Sequence, residues 1–165
     1  MGCGSAATTS PVATLPAAAV PSLPSTRSTI TPGFLARETQ TAPLQGRLAS
    51  WGFIAGARRY FQGESRALQI VDSRTLRFRR VAGAADFVQF QRTHLDPYLG
   101  TFARIRPFTA EGRSGFLAVG QECQCHLANP TYLAALAAHG TVTWLEINGP
   151  GATPKRLRAL LARAP

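Results

Sequence analysis

The residues with the richest chemistry are Cys123, Cys125 and His126, which stand side by side around Gln124. Two thiols and an imidazole are soft donors suited to copper(I) or zinc, so a metal-handling or thiol-redox role is one reading. The spacing restricts it. In an extended chain Cys123 and Cys125 point to one side and His126 to the other. A c-type haem attachment and a thioredoxin-like pair both need one more residue between the cysteines, and structural zinc normally takes four ligands. His94 and His139 lie at unrelated positions, and His94 falls among Phe87, Phe90 and Tyr98 as a histidine at the core edge. The same two thiols can also form a disulfide or remain reduced and buried. A bridge between them needs a bend, because a straight strand separates their Cα atoms by about 6.5–7 Å, the upper edge of disulfide geometry. Copper or zinc here is the one cofactor the sequence offers.

No catalytic pattern accompanies this cluster. There is no glycine-rich phosphate loop, no nucleophile elbow and no spaced histidine pair with a glutamate. Asp72, Asp86, Asp96, Glu111, Glu122 and Glu146 are scattered, so the chain reads as non-enzymatic. Its charge is more informative: 18 basic against 8 acidic side chains give +10, a balance that attracts nucleic acid, anionic lipid or acidic polymer. Only Lys155 is lysine, and that arginine bias, with the many alanines and prolines, is what a GC-rich genome produces. A nucleic-acid-associated protein would show a Lys/Arg run interleaved with aromatics, which is missing. Alternation sets Arg77 and Arg79 opposite Leu76 and Phe78, and Arg104 and Arg106 opposite Ala103 and Ile105. If those two strands are neighbours, four guanidinium groups share one sheet face, a planar-donor surface for the phosphate or carboxylate groups of an anionic polymer or lipid.

The start of the chain, Met1-Gly2-Cys3-Gly4-Ser5, precedes a Pro/Ser/Thr-rich stretch whose single charge is Arg27. This resembles the beginning of a mature bacterial lipoprotein after removal of its signal peptide. The resemblance implies that Cys3 carries the lipid and that the protein is extracytoplasmic and membrane-anchored in the cell envelope. Met1-Gly2-Cys3 is also similar to doubly acylated eukaryotic amino termini, with myristate on Gly2 and palmitate on Cys3. In either case the lipid makes the membrane a partner. The function read from these residues is a membrane-tethered ligand-binding or sensory domain.

The elements that must position these groups follow from composition and period. A chain of 165 residues is one domain's worth, and its 16% of charged residues is low for a globular protein. Residues 1–33 hold Pro11, Pro16, Pro21, Pro24 and Pro32 and read as a disordered, extended tether. Residues 34–165 read as a single α+β domain: a mostly antiparallel sheet of about six strands packed with about three helices. Strands are expected at 51–61, 66–71, 74–80, 101–108, 114–122 and 141–147, with a turn at Gln62-Gly63-Glu64 and a turn or bulge at Asp72-Ser73. A short helix is expected over 34–48, interrupted at Pro43. The clearest helix is 84–95, whose apolar residues fall within one arc between Gly83 and Pro97. Asn129-Pro130 predicts a third helix, with Leu133, Leu136 and Ala137 on one face and Gly140 as its stop. Thr153-Pro154 starts the last one, with Leu157, Leu160 and Leu161 inward.

Overall fold

A computed structural model describes residues 11–38, 44–95, 101–122 and 129–165. Seven strands form one antiparallel sheet: β1 (Ser25–Ile30), β2 (Phe53–Gln62), β3 (Ile70–Phe78), β4 (Thr101–Ala110), β5 (Arg113–Glu122), β6 (Asn129–Ala138) and β7 (Thr141–Asn148). Their spatial order is β1-β2-β3-β7-β6-β5-β4. Helices α1 (Pro32–Glu38), α2 (Leu44–Trp51) and α3 (Val81–Thr93) precede β4, and α4 (Pro154–Leu161) follows β7. The expected α+β class with an antiparallel sheet is what the chain adopts.

Local chemistry accounts for most of these elements. The β4–β5 hairpin closes on Glu111 and Gly112, both left-handed at φ 52° and 69°, the pattern of a two-residue turn whose twist matches its strands. Thr153 caps α4 by accepting a hydrogen bond from Arg156 N at 3.2 Å, with Pro154 at the first helical position. In α3, Ala84, Phe87, Val88 and Phe90 are buried, and Trp51 meets Phe87 and Phe90 edge-on.

Both sheet faces are covered. Leu35, Leu48, Phe87 and Phe90 from α1–α3 pack on Leu76, Phe116, Leu133, Ala135 and Trp144. On the other face Leu157, Leu160 and Leu161 of α4, with Leu15, Val20 and Leu23, pack on Phe61, Ala134, Leu136 and Leu145. Each large side chain so buried contributes on the order of 1.5–3 kcal/mol.

Three expectations are corrected. From Pro11 the chain is packed and not a tether, with Leu15 fully buried and 25–30 adding β1 as an edge strand; residues 1–10 of the expected tether lie outside the described residues. The prolines from Pro11 onward sit in turns and irregular backbone or, at Pro32, at the first position of α1, all of which they permit, while Val12, Leu15, Val20 and Leu23 turn into the core. Residues 129–138 form strand β6, not a helix. Leu133 and Ala135 face α1–α3 while Ala134 and Leu136 face α4, and all are fully buried. A central strand covered on both sides thus carries the continuous apolar run of a buried helix. Gly140 is no helix stop; with His139 it forms a second two-residue hairpin turn, at φ 49° and 76°. Finally, Asp72-Ser73 makes no turn but lies inside β3, which joins two expected strands into one.

Candidate functional site

The register decides which arginines share a face. Arg77 lies on β3 and Arg104 and Arg106 on β4, with β7, β6 and β5 between. Four sheet spacings of about 4.8 Å place them roughly 19 Å apart, so the expected four-guanidinium face on neighbouring strands does not form. Arg79 lies just beyond β3. Arg104 and Arg106 are exposed on the edge strand β4 beside Pro107, where charge and proline discourage pairing with another sheet. Cys3, Cys123, Cys125 and His126 lie outside the described residues. Among the described residues no group of three His, Cys, Asp or Glu could hold a metal ion. His94 stacks on Phe90 at 4.1 Å, and its Nδ1 lies 3.0 Å from the Phe90 carbonyl and 2.8 Å from Thr93 Oγ1, both on its own helix.

A different arginine face does form. Arg27 on β1 is directly opposite Arg59 on β2, which is opposite Ser73 on β3. The next row runs Thr29, Ala57, Thr75 and Thr143, and the one beyond places Arg77 beside Ala55. Across β1, β2, β3 and β7 this face carries no acidic residue, since Asp72 and Glu146 project from the other side by alternation. Arg27 donates from Nη2 to Val12 O at 2.7 Å. Arg59 donates from Nη1 to Ser25 Oγ at 3.2 Å and makes a long Nε contact of 3.5 Å to Thr14 Oγ1. Both cations are therefore met only by neutral oxygens among the described residues.

Beside Arg27 the small side chains of Ala55 and Ala57 leave a groove of about 470 Å³, walled by Pro11, Val12, Arg27 and Thr29, which Arg59 does not line. Ser73 and Thr75 are buried, yet their hydroxyls have no hydrogen-bond partner. This arrangement is unfavourable for stability alone. Like charges directly opposite in a sheet cost up to about 1 kcal/mol, and a buried unsatisfied hydroxyl costs roughly 1–3 kcal/mol.

The opposite sheet face carries the converse arrangement. Asp72 accepts from Arg58 Nε at 2.8 Å and Nη2 at 2.9 Å, and its Oδ2 also accepts from Arg74 Nε and Nη2 at 3.0 and 2.5 Å. Arg58 stacks over Tyr60 at 4.5 Å, and Arg74 over Trp144 at 5.3 Å, with Phe34 of α1 near both. Burial works to raise the Asp72 pKa, but the Arg74 charge and the hydrogen bonds from both arginines outweigh it, and the carboxyl ends below its ordinary value. Here the charges compensate one another and fasten α1 to the sheet. Asp72 as a bridging carboxylate was illegible in the sequence, where it falls at an apparent strand break.

No family model matches the chain, and no curated protein matches it. Among solved structures it is similar to the extracellular domain of PknH from Mycobacterium tuberculosis, at 14% identity, over 85% of this chain and 75% of that one, with a TM-score of 0.38. A likeness of that size fixes neither family nor function. No helix among the described residues is long and apolar enough to cross a membrane.

Proposed function

We propose that this chain is a membrane-tethered extracytoplasmic domain that binds an anionic ligand without transforming it, held at the cell envelope by a lipid on Cys3. The observation that supports the ligand reading is the Arg27–Arg59 pair, opposed on neighbouring strands of a sheet face that carries no carboxylate across β1, β2, β3 and β7, with Arg27 lining a groove. Guanidinium groups in that position offer planar, paired donors to an oxyanion. The anchor reading rests on the Gly2-Cys3 start, and the packed segment after Pro11 gives it a spatial consequence. The eight residues from Gly4 to Pro11 extend at most about 3.6 Å each, so Pro11, which lines the groove, stays within about 30 Å of Cys3. A lipid there holds the groove close to the bilayer surface.

The ligand reading is tested by binding of the full chain to phosphatidylcholine vesicles with and without phosphatidylglycerol, and to soluble anions, across a salt series. Binding is expected at low salt and should weaken as the Debye length contracts from about 10 Å at 0.1 M towards 3 Å at 1 M. Failure to bind any anion at low salt would overturn it.

A further inference from the structure

We infer that the open edge of β1 is a docking site for an extended, acidic peptide segment of another protein, which adds to the sheet as an eighth, antiparallel strand. The choice of an acidic segment rests on the anionic-ligand reading, and the strand pairing goes beyond it. The sheet has two edges, β1 and β4, and they differ in protection. On β4 a register shift between Phe102 and Arg104, two arginines and Pro107 discourage pairing. Strand β1 shares only the charge. Its six residues hold no proline and pair with β2 without a register break, and Thr26, Arg27, Ser28 and Thr29 are exposed.

The phase of the ladder shows which backbone groups face outward. Gln62 N donates to Pro24 O at 3.2 Å, so Pro24–Gln62 is a hydrogen-bonded pair, and by alternation so are Thr26–Tyr60, Ser28–Arg58 and Ile30–Gly56. The N–H and C=O groups of Ser25, Arg27 and Thr29 therefore point away from β2, towards the open side. A strand added there bonds to Arg27 and Thr29, and its residues directly opposite them lie on the same sheet face as their side chains. That fixes the chemistry of the partner. Opposite Arg27 a carboxylate meets a cation whose neighbour on β2 is another cation, Arg59, and a cross-strand ion pair offsets part of that repulsion. Opposite Thr29 a side chain comes beside the groove, whose walls include Pro11, Val12, Ala55 and Ala57, and a small aliphatic group suits it. Main-chain bonds then supply affinity and the alternate side chains selectivity. A second copy of this chain is the poorer occupant, because it brings one chain of charge +10 against another.

The probe is a blocked peptide of threonines with a central glutamate and a valine two places to either side of it, titrated against the full chain at low ionic strength. The peptide should bind, and on binding the amides of Arg27 and Thr29 should gain protection from hydrogen exchange, while those of Thr26 and Ser28 are protected throughout. Lysine in place of the glutamate should weaken binding about tenfold, and Arg27→Glu should reverse that preference. N-methylation of the glutamate and both valines, whose N–H groups face β1, should abolish binding; N-methylation of the threonines between them should not. Thr29→Pro removes an outward N–H and no bond to β2, so this variant should fold and bind about tenfold more weakly or worse. The N-methylated peptides decide the same point on the unaltered chain. Equal binding of the glutamate and lysine peptides, or binding that survives N-methylation of the β1-facing edge, overturns the inference. So does a dimer in sedimentation that Thr29→Pro dissolves, which assigns the edge to a second copy. No binding of the glutamate peptide while anionic vesicles or soluble anions still bind overturns the inference and leaves the anionic-ligand reading standing. No binding of the peptide or of any anion overturns both.

Discussion

Replacing Asp72 by asparagine keeps the shape of the side chain but removes the charge that joins Arg58 to Arg74. Four hydrogen bonds to guanidinium nitrogens meet on this carboxylate. The side chain of Arg74 is 7% exposed and that of Arg58 21%, so the first loses its counter-charge in a nearly dry place and the second at its margin. Removing one partner of a buried ion pair costs about 3–5 kcal/mol, and the partial exposure of Arg58 argues for the lower end, about 3 kcal/mol. For a chain of this size about 2–4 °C of melting temperature accompanies each kcal/mol, so Asp72→Asn should melt roughly 6–12 °C lower. The pH dependence has a definite sign. Because the folded-state pKa of Asp72 lies below its ordinary 3.8, its contribution is complete above that value and disappears as pH falls through the lowered folded-state value. Urea unfolding of both proteins, at neutral pH and at points below about pH 4, should show the gap between them closing in acid. A difference under about 1 kcal/mol at neutral pH, or a gap that widens on acidification, would refute the role given to this carboxylate.

Leu15→Ala should cost about 2–4 kcal/mol in chemical denaturation, because Leu15 is fully buried against the α4 side of the sheet, whereas a side chain in a loose tether would cost nothing. Gly83→Ala should destabilise despite alanine's better helix propensity: a Cβ there overlaps the Trp51 carbonyl oxygen where α3 meets the end of α2, and overpacking of this kind costs about 1–3 kcal/mol by thermal melting. With the full gene product in its native host, Cys3→Ser should move the protein from the membrane fraction to the soluble one, and unchanged fractionation would remove the lipid anchor.

The fold was legible where one face of an element meets water. Helix α3 alternates buried Phe87, Val88 and Phe90 with exposed Asp86, Gln89 and Arg92, and β5 and β4 bracket an unmistakable turn. Where both faces are buried, that contrast vanishes. Strand β6 presents Leu133, Ala134, Ala135 and Leu136 in succession, and alanine, a good helix former, tips the local preference the wrong way until cross-strand pairing with β5 and β7 overrules it. The segment before β1 failed for the opposite reason. Its few apolar residues follow neither period, because it packs as turns and a short 3-10 helix (Ala17–Ala19) rather than as a regular element.

The arginine face shows why a site can escape a chain read in order. Alternation along β3 correctly assigns Arg77 to the side opposite Leu76, but a strand has two neighbours and the sequence names neither. Those neighbours turned out to be β2 and β7, so Arg77 stands beside Ala55, and the arginines that pair directly are Arg59 and Arg27, the latter the single charge in a stretch that composition marked as linker. Arg27 and Arg59 meet only because Ser25–Ile30 pairs antiparallel with β2, and a one-residue slip would turn Arg27 to the other face. Such a slip would also expose Ile30, now 2% accessible beneath α1 and α2. The apolar contact of Ile30 thus fixes the register that brings the two like charges together. The packing that stabilises the edge strand is the same packing that holds its cation beside the groove.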